Sequence, residues 1–123
     1  GDWSSPSRFV RLAFLRKHAV KAKNEEEAVT RMLHLFESAA FPLGAVRVSE
    51  PGEPTALDAD ILPFDYTIYT AIYCAESLRV YWTTYENQRV QCADLHHLMH
   101  RTEPVQFDFA RRPDFLFRTQ AES

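Results

Sequence analysis

The spacing of apolar residues changes once along the chain, and that change limits the folds open to it. From Pro6 to Ala40 the apolar positions recur at helical intervals, and from Tyr66 to Ala93 they alternate. A period near 3.6 builds one face of a helix, and a period of two builds one face of a strand. Helices followed by strands, rather than interleaved with them, make an α+β chain with an antiparallel sheet.

The first helix is expected at about residues 6–22. Ser4 and Ser5 offer capping hydroxyls, and Pro6 suits a first turn, where its missing N–H is not needed. Phe9, Val10, Ala13, Phe14, Leu15, Ala19 and Val20 form its apolar stripe. A second helix begins after Asn24, a capping residue, with Glu25, Glu26 and Glu27 at the positive end of the helix dipole. Its stripe runs from Ala28 and Val29 to Ala39 and Ala40, and Pro42 and Gly44 end it. The link between the helices is very short, so they are expected to lie antiparallel. Ala45 to Val48 suggests a short strand, and residues 49–63, with Pro51, Gly52, Pro54 and Pro63, suggest a surface loop.

Tyr66, Ile68, Thr70 and Ile72 then alternate with Thr67, Tyr69, Ala71 and Tyr73 in a first long strand. A turn at Ala75-Glu76-Ser77 leads to a second strand over Leu78–Tyr85, and Glu86-Asn87-Gln88 to a third over Arg89–Ala93. The expected fold is α+β, with two antiparallel helices packed on an antiparallel β meander, residues 1–123 forming a single partial domain. Asp94 to His100 is expected as a short helix or a turn. The tail, with Phe107, Phe109, Phe115 and Phe117, is expected either as a late strand or as a cover over an apolar surface. Aromatic residues on both faces of the meander call for a sheet covered on both sides, more than two helices supply.

Composition removes several functions. A length of 123 residues fits one domain or a large part of one, and 46% hydrophobic residues is too apolar for a disordered chain. The net charge of −3, with acids scattered among the bases, argues against a nucleic-acid partner and against a membrane surface. No apolar run approaches the ~18 residues of a membrane span, and the polar start argues against a signal peptide. Cys74 and Cys92 lie in separate strands; a bridge is open to them, but the pattern favours two semi-buried thiols.

Few residues point to chemistry. Arg8 stands in the first turn of a helix, where the dipole disfavours a cation; a fixed guanidinium there would favour a thiolate or stabilise charge developing on a cleaved amide. Asp2, Ser4 and Ser5 are accounted for by the start of the helix. Cys74 and Cys92 lack an adjacent histidine and lie inside strands, which argues against a nucleophile. His96 and His100 would share a helix face at i, i+4, yet His97 replaces the Glu of a zincin motif and a third ligand is not evident. Tyr66, Tyr69, Tyr73, Tyr81, Trp82 and Tyr85 would suit a pocket for a bulky apolar acyl group, or simply the core of the sheet. No metal or cofactor is expected.

Gly1-Asp2-Trp3-Ser4-Ser5-Pro6-Ser7-Arg8-Phe9-Val10-Arg11, followed by Ala13-Phe14-Leu15, resembles a stretch of the choloylglycine hydrolases and penicillin V acylases. Tyr69-Thr70, Cys74, Tyr81-Trp82-Thr83-Thr84-Tyr85-Glu86-Asn87 and Asp94-Leu95 are similar to that family's final hairpin, so the resemblance covers about residues 1–97. It implies part of a four-layer αββα sandwich of the N-terminal-nucleophile (Ntn) hydrolases. It implies hydrolysis of a linear amide in a conjugated bile salt, penicillin V or an acyl-homoserine lactone, by a cysteine at the amino terminus whose own α-amine is the base.

By motif, Arg8 belongs to the catalytic set. The chain begins with Gly1 rather than Cys, so the nucleophile and the other active-site Arg, Asp and Asn residues are expected upstream, in an N-terminal half of the same fold. The 123 residues are expected to be inactive alone, and family members to be homo-oligomers. Substrate identity stays open, as does the choice between the cytoplasm and periplasm of a bacterium. The alternative function is a non-catalytic α+β module that binds or associates through an exposed sheet.

Overall fold

In a computed structural model, residues 2–47 and 64–121 are described. The chain divides into two compact units, Gly1–Ile68 and Tyr69–Ser123.

The first unit is built on α1 (Ser5–Lys17) and α2 (Glu25–Glu37). Ser4 caps α1 with its side chain, and Pro6 lies in the first turn. The helix ends five residues short of its expected end: the last regular bond is that of the His18 N–H to the Phe14 carbonyl at 3.2 Å, and the Ala19 N–H tightens back to the Arg16 carbonyl at 3.3 Å. Residues 18–24 instead form a loop, held by Arg31, whose Nη1 donates to the carbonyls of Val20 and Lys21, each at 2.9 Å. Asn24 caps α2 as expected, its Oδ1 accepting the Glu27 N–H at 2.8 Å. α2 stops at Glu37, before the expected Ala40, because the N–H groups of Ser38, Ala39 and Ala40 turn back to the carbonyls of Leu35 and Phe36. The start of α1 lies against the end of α2, so the two helices are antiparallel.

Pro42 to Ala45 makes a turn closed by the Ala45 N–H on the Pro42 carbonyl at 3.1 Å. Gly44 occupies its third position at φ +97°, a left-handed conformation glycine adopts without steric cost. β1 (Val46–Arg47) then pairs antiparallel with β2 (Phe64–Asp65). The expected strand at Ala45–Val48 is thus present in part, and the expected loop at residues 49–63 lies outside the described residues. The first long strand does not begin at Tyr66. Thr67 is drawn to Phe41 instead: its N–H donates to the Phe41 carbonyl, and its Oγ1 accepts the Phe41 N–H, both at 3.1 Å. Val29, Ala39 and Phe41 are the buried apolar residues of this unit among those described.

The second unit is the expected meander. β3 (Tyr69–Cys74), β4 (Arg79–Thr84) and β5 (Gln91–Asp94) form an antiparallel sheet in the order β3-β4-β5. Ile72 faces Tyr81 across the first pair, and both are buried, as is Ala93. The first hairpin turns through Leu78, which takes φ +55°. The second is a tight turn in which Thr84 and Asn87 exchange backbone hydrogen bonds at 2.9 and 3.3 Å and the Asn87 N–H also reaches Thr84 Oγ1.

α3 (Leu95–Leu98) follows directly, with Asp94 accepting the His96 N–H at 2.9 Å. The tail forms no strand among the described residues. It covers one face of the sheet: Phe107 packs on Trp82 at 5.7 Å between ring centroids, and Phe109 meets Tyr69 edge-on at 6.2 Å. Thr84 Oγ1 donates to the Ala110 carbonyl at 2.9 Å, which ties this cover to the turn.

Candidate active-site segment

The residues singled out at the start of the chain come together around the end of α2. Because α2 closes with tight turns, the carbonyls of Ser38 and Ala39 continue no helical ladder and carry the negative end of its dipole. Arg8 Nε donates to the Ala39 carbonyl at 2.8 Å, and Arg11 Nε to the Ser38 carbonyl at 3.0 Å. Each guanidinium also lies over a ring: Arg8 stands 5.1 Å from the Phe41 centroid, and Arg11 5.7 Å from that of Trp3. Trp3 and Phe41 meet at 5.8 Å. The result is a ladder of Arg11, Trp3, Phe41 and Arg8.

Two cations so close together at the start of a helix would be unfavourable by its dipole alone. The carbonyl end of α2 and the two ring faces offset that cost. Arg8 is half-buried and anchored through Nε, while its two terminal nitrogens make no hydrogen bond among the described residues. A guanidinium held by its stem with its fork unspent can meet a thiolate or an oxyanion.

Asp2 flanks this ladder. Its carboxylate accepts from the N–H and the hydroxyl of Ser4, and the hydroxyl bond is the main cause that holds its pKa down at about 2. Ser4 thus serves both Asp2 and α1, in line with the helix-start role expected for it. Nothing in the sequence singled out Arg11. Its i, i+3 spacing from Arg8, which puts both on one helix face, was the signal available.

The other expected candidates are dispersed. Cys74 and Cys92 lie on β3 and β5 with β4 between them, separated by two strand spacings, about 10 Å, across the sheet and by two residues along it. That exceeds the reach of a disulfide, and both are unbridged. Cys92 is exposed rather than semi-buried, and Cys74 is intermediate. His96 and His97 stand on α3, but the helix ends at Leu98 and His100 lies beyond it, so the shared face required of His96 and His100 is not formed. Asp94 is spent on structure: the His96 N–H first, and then Arg79, hold its pKa down. Tyr81 is sheet core and Trp82 lies under the tail, whereas Tyr69 and Tyr73 are exposed, so the aromatic residues do not converge on one pocket. An open cleft of about 630 Å³ does lie beside the Asn87 turn, lined by Arg89, Asp108, Arg111 and Asp114 among others. Sequence reasoning missed it because the cleft forms only once the tail folds back.

Residues 1–107, which include the ladder and the whole meander, match the family of linear amide C–N hydrolases described as the choloylglycine hydrolase family. The chain belongs to that family. Among curated choloylglycine hydrolase relatives, it is 30% identical over 95 residues to the bile salt hydrolase/transferase of Clostridium perfringens, covering 77% of this chain and 26% of that protein. It is 28% identical over 97 residues to the bile salt hydrolase/transferase of Lactiplantibacillus plantarum, covering 79% of this chain and 26% of that one. The chain therefore spans about a quarter of the length of the curated relatives it matches. The crystal structure of a mutant conjugated bile acid hydrolase from Clostridium perfringens superposes with a TM-score of 0.73 at 22% identity, over 95% of this chain and 32% of that one. The fold of this choloylglycine hydrolase family chain is thus α+β, of the kind found in part of an Ntn hydrolase.

Proposed function

We propose that this chain is the C-terminal part of an amidase that cleaves linear amides of the conjugated bile salt or penicillin V type, and that Arg8 is the catalytic residue it contributes. The observation that carries the reading is the anchoring of Arg8: stem bound to the Ala39 carbonyl, guanidinium over the Phe41 ring, and no hydrogen bond to its terminal nitrogens among the described residues. The two compact units are then portions of one domain, completed by an upstream part of the same fold.

In the completed site, an N-terminal cysteine thiolate attacks the amide carbonyl, its α-amine delivers a proton to the departing amine, and water resolves the acyl-enzyme. Arg8 stabilises the thiolate before attack and the oxyanion after it. Cys74 and Cys92 are set in β-strands and take no part. The acyl group is recognised mostly by the upstream part, and the homo-oligomer expected of the family forms from the completed protein.

The test has two arms. The purified 123-residue chain should hydrolyse neither a conjugated bile salt nor penicillin V, whereas mixing it with the N-terminal part of such an amidase should restore turnover. In the restored enzyme Arg8→Lys, which keeps the charge but loses the planar fork, should lower kcat by about a hundredfold. Turnover by the chain alone, or full activity of Arg8→Lys, would overturn the reading.

A further inference from the structure

We propose that Arg11 is a positioning residue, which fixes the Arg8 guanidinium by holding both surfaces on which Arg8 rests. Arg8 has two supports, the Ala39 carbonyl and the Phe41 ring. Arg11 reaches both at one remove. Its Nε takes the Ser38 carbonyl, one residue before the acceptor used by Arg8, and so fixes the peptide group adjoining the one that presents it. Its guanidinium lies over Trp3, and Trp3 packs on Phe41. Its Nη1 donates to the Asp2 carbonyl at 3.0 Å, which stops the segment carrying Trp3 from swinging away from α1.

The guanidinium fork is what makes this arrangement work. Two nitrogens of one rigid guanidinium bind carbonyls from chain segments far apart in sequence, while its charge lies over a ring face. A lysine ammonium at the same position lacks the fixed fork that reaches both carbonyls at once. Arg16, further along α1 and exposed, makes no contact with this group among the described residues and serves as the control. The inference about geometry stands on these contacts alone; its catalytic consequence rests on the reading of Arg8 given above.

The experiment follows the Arg8 Nε–H signal by NMR in the 123-residue chain. In the parent chain and in Arg16→Ala this proton should exchange slowly with water. In Arg11→Lys and Arg11→Gln it should exchange about tenfold faster, the change that loss of roughly one hydrogen bond's worth of restraint produces. The amide signals of α2 and of the β1–β2 pair, which belong to the same compact unit as Arg8 and Arg11, should stay in place, which separates repositioning from unfolding. Exchange at Arg8 unchanged in both Arg11 variants would overturn the proposal.

In the restored amidase, Arg11→Lys should lower kcat by at least about tenfold with KM within about twofold, the signature of a misplaced group rather than lost substrate binding. An unchanged kcat in Arg11→Lys, where Arg8→Lys is impaired, would also overturn it. Full activity of Arg8→Lys would sink the active-site reading separately, since the exchange measurement does not depend on catalysis.

Discussion

Asp2 lies one residue before the tryptophan of the ladder, and its carboxylate is served mainly by Ser4. Those bonds favour the ionised form, so the folded pKa of about 2 lies below the ordinary 3.8. A depressed folded value means that the carboxylate contributes stability above about pH 3.8, and that this contribution is lost as the pH falls through about 2. Carbon NMR of the Asp2 carboxyl should show the low midpoint in the parent chain and a return toward 3.8 in Ser4→Ala. The difference in melting temperature between the two should shrink across the same window, and a pH-independent remainder would report the lost helix cap. An unshifted Asp2 midpoint in Ser4→Ala would contradict this account.

Helix caps set the scale of the next effect. Asn24 accepts from Glu27 at 2.8 Å, whereas Ser4 accepts from Ser7 at 3.4 Å and shares its hydroxyl with Asp2. Asn24→Ala should therefore destabilise the first unit by about 1 kcal/mol; urea titration followed by helical circular dichroism would check this, and a value near zero would show that α2 starts without its cap. Cap and stripe made α2 legible in the sequence, as alternation did for β3, β4 and β5. Helix ends were less so. Nothing local in His18 or Ser38 announces a stop; the segments just after α1 and α2 are held by Arg31, Arg8 and Arg11, which reach their carbonyls from a distance. Thr67 continues an alternating pattern yet bonds to Phe41, because one tertiary pairing outweighed a residue of strand propensity. Arg8 was legible only through its motif. Arg11 and the cleft were not, since each depends on partners brought in by folding.

At the scale of the whole molecule, the buried interior is thin. Among the described residues no side chain is less than 2% exposed, and α1 buries none of its residues. Phe9, Val10 and Phe14 are between 62% and 73% exposed, an apolar stripe that a folded chain ordinarily covers. The purified chain should therefore bind a hydrophobic dye and sediment as more than one chain at micromolar concentration, with both signals falling when the N-terminal part of the amidase is added. A dye-silent monomer would show that these residues cover themselves, and would favour a self-sufficient binding module instead.

Phe41 joins these scales. Its ring carries Arg8 and leans on Trp3, while its backbone is bonded twice to Thr67. Positions 8, 41 and 67 are thus not free to drift one at a time during evolution. A valine at 67 withdraws the acceptor from the Phe41 N–H, and a small residue at 41 leaves the arginine without its platform. Substitution at any one of the three creates selection at the other two, so they should be inherited as a set.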